Sequence, residues 1–293
     1  MAPPDQGSHL VGLVGAGIGP SLSPALHERE ADELGLRYLY RRLDLAELGV
    51  PPADVGDVLA AARMSGFDGL NITHPCKQLV LEHLDDLAPE AAALGAVNTV
   101  VFAEGTAVGH NTDSSGFARS VAVGLPNVSL DRVALLGAGG AGAAVAHALL
   151  TLGTGTLEVF DVDASRSEAL AGSLRERFGA DRAHRAKALA DSLRLADGLV
   201  HATPTGMAGH PGLPLAAELL RPELWVADVV YRPLNTELVE TARARGCQVL
   251  DGGRMAVFQA ADSFRLFTGR EPDAGRMLRH FDALVGKEHH ARR

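Results

Sequence analysis

Short apolar runs alternate along the chain with stretches whose apolar positions recur at the helical period. The runs at 11–14 and 38–43 read as strands, a helical pattern over 24–34 separates them, and another covers 58–64. This is the grammar of βαβ units, in which a crossover helix packs on the strands it connects. Gly69-Leu70-Asn71-Ile72-Thr73 continues it as a strand, Pro75 stands at a helix start, and 97–102 reads as one more strand.

At Gly124-Leu125-Pro126-Asn127-Val128, turn-forming residues separate a helix over 115–123 from a new strand at 133–136. Alternation then resumes through strands at 157–160, 198–202 and 224–230, with helical stretches between, as a parallel sheet covered on both faces requires. Two helical patterns, 258–267 and 276–285, follow with no strand after them. They can return to the first domain.

The strand at 133–136 runs into Gly137, Ala138, Gly139, Gly140, Ala141 and Gly142, and then into a helical stretch of small residues. Gly137 permits the tight turn, Gly139 lets backbone approach a pyrophosphate, and Gly142 allows close helix–strand packing. The helix N-terminus favours the phosphate charge. An acid stands at the expected distance: Asp161 follows the strand at 157–160, where a carboxylate accepts hydrogen bonds from ribose hydroxyls and repels a 2′-phosphate. NAD is the expected cofactor. Arg166 is a candidate for stacking on adenine or, secondarily, for contact with a 2′-phosphate, and Asp163 reads as a helix cap. An earlier cluster, Gly12, Gly15, Gly17 and Gly19, is followed by Pro20 and has no matching acid, so it reads as a flexible turn beside a substrate pocket.

The fold expected is therefore α/β with two domains. An N-terminal α/β substrate domain covers 1–124 and is completed by C-terminal helices over 256–293; a Rossmann doubly wound parallel-sheet NAD domain covers 125–255. A chain of 293 residues is long enough for each to bury its own core.

Composition narrows the partners. Hydrophobic residues make up 46% and charged residues 22%, as in ordinary globular proteins. A formal net charge of -9 opposes binding to nucleic acid. Cys76 and Cys247 have no CxxC or Cys/His spacing around them, so neither a disulfide framework nor a metal site is expected and a reducing cytoplasm fits. No basic-then-apolar leader opens the chain and no apolar run approaches the roughly 18 residues of a membrane span, so no membrane partner is expected. His289 and His290 read as part of a solvated basic tail. The expected assembly is a monomer or homodimer.

The candidate chemistry lies in three loops. Asn71-Ile72-Thr73-His74-Pro75-Cys76-Lys77 sits at the C-terminal end of a strand, where open α/β sheets bind ligands, and Asn98-Thr99 and Asn111-Thr112-Asp113 have similar settings. Each residue alone reads equally well as a turn or cap. Together they suit a small polyhydroxylated ligand.

At these residues the chain resembles the shikimate dehydrogenases. Ser21-Leu22-Ser23-Pro24-Ala25-Leu26-His27, the Asn71 to Lys77 segment, Ala96-Val97-Asn98-Thr99 and Asn111-Thr112-Asp113-Ser114-Ser115-Gly116 look like that family's successive motifs, in order. The glycine motif, Ala202-Thr203-Pro204-Thr205-Gly206, Asp228-Val229-Val230-Tyr231 and Gly253-Arg254-Met255-Ala256-Val257-Phe258-Gln259 continue it over nearly the whole chain. Phe160-Asp161-Val162-Asp163 is similar to the NAD-preferring quinate/shikimate dehydrogenases of actinobacteria.

The resemblance implies reversible oxidation of a ring hydroxyl of shikimate or quinate, a small cyclic carboxylic acid, with hydride passing to nicotinamide. It makes Lys77 and Asp113 the catalytic pair. A lysine removes a hydroxyl proton when burial or neighbouring positive charge favours its neutral form, and a close Lys–Asp pair titrates as a unit. It also implies that Ser21 and Ser23 bind the substrate carboxylate, that Asn71, Thr73, Asn98 and Gln259 meet ring hydroxyls, and that Thr203 and Met255 line the nicotinamide. Tyr231 closes the substrate pocket or packs as core, and both readings stay open. Ser23 stands where quinate-accepting enzymes often have Thr, and Glu28 and His201 replace Asn residues common in the family. An aminoshikimate dehydrogenase, or a nicotinamide-binding sensor without turnover, are the alternatives.

Overall fold

The computed structural model describes residues 7–291, with side-chain environments up to residue 286. The stretch 1–6 and the side chains of His289 and His290 lie outside the described residues. Packing divides the chain into Met1–Thr112 with Val257–Arg293, and Asp113–Ala256.

The first unit contains β1 (Ser8–Gly15), α1 (Ser23–Glu33), β2 (Arg37–Asp44), α2 (Leu45–Leu48), α3 (Val55–Met64), β3 (Gly69–Ile72), α4 (Cys76–Leu79), β4 (Asp86–Leu87), α5 (Pro89–Leu94), β5 (Thr99–Ala103) and β6 (Thr106–His110). The second contains α6 (Asp113–Gly124), β7 (Arg132–Leu136), α7 (Gly140–Thr151), β8 (Thr156–Phe160), α8 (Ala164–Phe178), β9 (Ala183–Arg185), α9 (Leu189–Leu195), β10 (Gly198–His201), β11 (Trp225–Asp228), α10 (Glu237–Ala244) and β12 (Gln248–Leu250). From Val257 onward, α11 (Gly253–Thr268) belongs to the first unit again, as does α12 (Ala274–Ala291).

The first sheet runs β2-β1-β3-β5-β6-β4. β1 is parallel to β2 and β3, whereas β5 is antiparallel to both β3 and β6. The period-2 alternation of β1 explains its two-sided burial. Val11 and Leu13 face a cluster with Tyr40 and Phe267, and Val14 faces one with Leu59, Leu70 and Ile72. Gly69 is small for a reason: a Cβ there would stand 2.4 Å from the Val100 carbonyl and 2.5 Å from the Phe267 ring. α11 thereby packs directly on the sheet. The carboxylate of Glu30, only 1% exposed, receives Arg276 through Nε at 2.9 Å and Nη2 at 2.6 Å, and the Asp273 N–H at 2.7 Å. Leaving such a carboxylate buried without its cation costs about 3–5 kcal/mol, so this clasp ties α12 to α1.

The second sheet is wholly parallel, in the order β12-β11-β10-β7-β8-β9. Successive residues of β7 serve opposite faces: Val133 and Leu135 join one apolar cluster, Ala134 and Leu136 the other. The chain leaves β7 outward to β8 and β9, then crosses to β10, so the strand order reverses between β7 and β10. Ligands bind beyond the carboxyl ends of strands at such a switch point.

One boundary differs from the sequence expectation. The helix Asp113–Gly124 was assigned to the first domain, but Phe117, Val121 and Leu125 lie in the same cluster as Val133, Leu149 and Trp225. The turn at 124–128 is therefore internal to the second unit, and packing moves the division to Thr112.

Candidate functional site

In the first unit, the loops after β3, before β5 and after β6 converge on a shared polar network. The amide Nδ2 of Asn71 donates to Thr99 Oγ1 at 3.1 Å, and its Oδ1 accepts from the Tyr40 hydroxyl at 2.7 Å. Asn98 donates to Thr112 Oγ1 at 2.9 Å and to Gln259 Oε1 at 3.4 Å, and its Oδ1 accepts the Thr112 N–H at 2.8 Å. Both asparagines are buried, at 7% and 3% exposure. Buried amides satisfied in this way hold their orientation, because each lost bond leaves an unpaired polar group.

Thr73 follows β3, beside the end of β1. A Cβ on Gly15 would stand 2.4 Å from Thr73 Cγ2, so only glycine allows that approach. Ser21 and Ser23 lie at the start of α1, where the Ser21 hydroxyl donates to Ser23 Oγ at 3.2 Å and accepts the Ser23 N–H at 3.2 Å. Lys77 is half-buried in α4, just past Pro75, and its carbonyl accepts from Val97 N at 2.8 Å. Asp113, 6% exposed, opens α6 and is counted with the second unit, as is the half-buried Tyr231 beyond β11.

The glycine cluster before α1 is not the flexible turn expected from sequence. Asp44 accepts Gly17 N at 3.0 Å, Ile18 N at 2.7 Å and Ala46 N at 3.1 Å, pinning the turn from β2. Burial opposes the charge of Asp44, but the backbone donors outweigh it and hold its carboxyl below the usual range.

Glu28 also has an account. β2 pairs only with β1 and is the sheet edge, and the outward N–H of Tyr40 is taken by Glu28 Oε1 at 3.0 Å. The strand that aims the Tyr40 hydroxyl at Asn71 is thus fixed from α1. Tyr40 and Asp44 were not among the sequence candidates. The alternation of Tyr38 and Tyr40 in β2 was the only sign of an inward tyrosine.

His27 is fully buried among Tyr38, Tyr40, Phe264 and Phe267, with Nδ1 3.0 Å from the Tyr38 hydroxyl. Burial pushes its pKa down from 6.5 to about 3. Between those values the unfolded chain binds a proton that the folded chain does not, so stability falls as pH drops through that window and is unaffected above it. The slope is about 1.4 kcal/mol per pH unit for one proton. His27→Gln should flatten the acid limb of unfolding free energy against pH, measured by urea titration from about pH 6 to about pH 4. An unchanged slope would refute the burial of a neutral His27.

In the second unit, Gly137 has φ +111°, and a Cβ there would stand 2.7 Å from the Ala202 carbonyl oxygen and 2.9 Å from Thr203 Cγ2. A Cβ on Gly142 would lie 2.1 Å from the Gly137 oxygen, whereas one on Gly139 would meet nothing within 4 Å. The outer two glycines are required by packing and the middle one leaves open space at the N-terminus of α7. Ala138, Gly140 and Ala141 complete that turn without bulk. A pyrophosphate fits there, since the backbone of an exposed glycine and a helix N-terminus face the same opening.

Asp161 follows β8 and stands against this turn, its Oδ2 accepting Ala138 N at 2.7 Å and its Oδ1 accepting Asp163 N at 2.9 Å. Asp163 caps α8 by accepting Ser165 N at 2.9 Å. Arg166 is exposed, with Nε 3.6 Å from Asp163. Val162, 96% exposed beside Asp161, offers an apolar surface that the sequence reading passed over. Met255 is 9% exposed within the second unit's main apolar cluster, a packing role the resemblance did not include. Among the described residues no cluster of acids, histidines and cysteines could hold a metal, and no helix is long and apolar enough to cross a membrane.

The switch point, the glycine turn and the acid after β8 define the second unit as a Rossmann-type dinucleotide fold, one to which nicotinamide-dependent oxidoreductases belong. Family models agree: a shikimate dehydrogenase substrate-binding domain matches residues 13–100, and a shikimate 5′-dehydrogenase C-terminal domain matches 253–280. A shikimate dehydrogenase (NADP(+)) of Streptomyces avermitilis is 67% identical, over 96% of this chain and 97% of its own. A quinate/shikimate dehydrogenase (NAD(+)) of Corynebacterium glutamicum is 49% identical, over 94% of this chain and 99% of its own. The structure of a quinate dehydrogenase from Corynebacterium glutamicum in complex with NAD superimposes with a TM-score of 0.86 at 48% identity, covering 94% of this chain and 99% of that one. The chain belongs to the shikimate dehydrogenase family.

Proposed function

We propose that this protein is an NAD-dependent dehydrogenase that reversibly oxidises a ring hydroxyl of shikimate or quinate to the corresponding 3-dehydro acid. The observation that carries this reading is the network of Asn71, Asn98, Thr99, Thr112 and Gln259. Its rigid amides and hydroxyls offer both donors and acceptors, as a polyhydroxylated ring requires. Relatives named for both acids support it.

The nicotinamide dinucleotide, when bound, supplies the hydride acceptor. Gly137, Ala138, Gly139, Gly140, Ala141 and Gly142 hold its pyrophosphate. Asp161 would take the adenosine ribose hydroxyls, and Val162 and Arg166 would face the base. Thr203 and Met255 would line the nicotinamide. Ser21 and Ser23 bind the substrate carboxylate, Asn71, Thr73, Asn98 and Gln259 orient the ring, and Tyr231 closes over it. Lys77 Nζ removes the proton of the reacting hydroxyl, and the Asp113 carboxylate couples to Lys77 and so helps orient that hydroxyl. Initial rates with shikimate, quinate and aminoshikimate against NAD and NADP test the proposal. Turnover of shikimate or quinate with NAD is expected, and binding without turnover would overturn it.

Selectivity between the two acids should respond to Ser23. Ser23→Thr adds one methyl group, worth roughly 1 kcal/mol in discrimination, and should raise the quinate-to-shikimate ratio of kcat/KM. An unaltered ratio would place selectivity elsewhere.

A further inference from the structure

His201 is the last residue of β10 and Asp228 the last of β11, opposite each other in the ladder and with side chains wholly shielded from solvent. The imidazole Nδ1 lies 2.9 Å from Asp228 Oδ1, and Nε2 lies 2.6 Å from the Thr203 hydroxyl. Backbone donors fix the direction of this chain. Val239 N–H donates to Thr236 Oγ1 at 3.1 Å, so the Thr236 hydroxyl proton goes to Asp228 Oδ2 at 2.7 Å. Val230 N–H donates to Asp228 Oδ1 at 3.0 Å. Asp228 thus sits between the Thr236 hydroxyl, the Val230 N–H and the His201 imidazole, whose other nitrogen is bonded to the Thr203 hydroxyl. Thr205 N–H, 3.3 Å from Thr203 Oγ1, fills the acceptor side of the same hydroxyl.

Thr203 in turn backs the dinucleotide turn. Its Cγ2 and the Ala202 carbonyl occupy the space that a side chain on Gly137 would need. The β10 loop and the β7 turn are the two banks of the switch point, and the hydrogen-bonded chain from Thr236 to Thr203 ends between them.

We infer that His201 is a positioning residue of the cofactor site, holding the Thr203 hydroxyl and with it the 202–206 loop against the Gly137 turn. The inference rests on the proposed reading of the second unit as the NAD site. His201 touches no reacting group. Its effect is on how well NAD is held, with no direct effect on the binding of substrate.

The test compares His201→Leu, which cannot hydrogen-bond the Thr203 hydroxyl, with His201→Gln, which can. NAD affinity is measured by titration calorimetry, KM for shikimate at saturating NAD by initial rates, and folding by the urea midpoint. His201→Leu should weaken NAD binding about tenfold, the scale of one buried hydrogen bond, with KM for shikimate unchanged. His201→Gln should restore binding to within about threefold, and Thr203→Val should add little to His201→Leu, because the two side chains act as one unit. Unchanged NAD affinity in His201→Leu, or fully additive losses in the double variant, would overturn the inference. Should His201→Leu fail to fold, His201→Met takes its place, filling the same buried space without a strong hydrogen-bonding group: about tenfold weaker NAD binding at an unaltered urea midpoint is expected, and wild-type binding overturns the inference. Wild-type protein that binds neither NAD nor NADP would overturn the reading of the second unit, and the inference with it.

Discussion

Lys77→Ala should lower kcat by at least ~10²-fold, the usual contribution of a positioned general acid or base, with a much smaller change in KM. The segment that carries Lys77 is built for placement. Asn71, just upstream, is held by Tyr40 and Thr99, the Lys77 carbonyl is bonded to Val97, and Cys76 is packed in the core beneath. Removing the amine from such a scaffold removes chemistry and leaves the binding groups in position. Steady-state rates for shikimate and quinate oxidation give the answer, and near-normal turnover would take Lys77 out of the mechanism.

Cofactor choice should turn on Asp161. NAD is expected to exceed NADP by ~10²-fold or more in kcat/KM, because the carboxylate gains ribose hydrogen bonds from one and faces like charge from the other. Its rotamer is already set by Ala138 N and Asp163 N, so a 2′-phosphate could not simply push it aside. Asp161→Ser should weaken NAD, relieve the repulsion and let Arg166 approach the phosphate, narrowing the preference by at least ~10-fold, or about 1.4 kcal/mol. Relatives carry both cofactor names, so the measured ratio in the wild type is decisive. Comparable use of NADP by the wild type, or a ratio indifferent to Asp161→Ser, would remove the role assigned to this acid.

The glycine turn and its acid were legible in sequence because their geometry is local: strand, turn, helix and carboxylate lie within one βαβ unit. The longer strands were legible through their apolar runs. β4, β6, β9 and β12 were not, since Asp86–Leu87, Ala183–Arg185 and Gln248–Leu250 are only two or three residues long and Thr106–His110 has no sustained apolar run, and pairing makes them strands. β11 stops at Asp228, short of the run read as 224–230, because that side chain bonds the Val230 N–H and turns the chain. The motifs named Asn71, Asn98 and Gln259, but their mutual bonding depends on tertiary packing. Glu28, Asp44 and His201 were opaque for the same reason: each serves a partner that only the fold brings near.

The clasp between Glu30 and Arg276 carries a consequence for biosynthesis. The first unit is written at both ends of the message, with the whole of the second between. At ribosomal speeds of about 5–20 residues per second, its sheet waits roughly 7–30 s for the helices that cover Val11, Leu13 and Tyr40. Nascent chains in that interval carry an uncovered apolar sheet face while the dinucleotide unit is still being made, and such a face is the kind of surface that holdase chaperones bind.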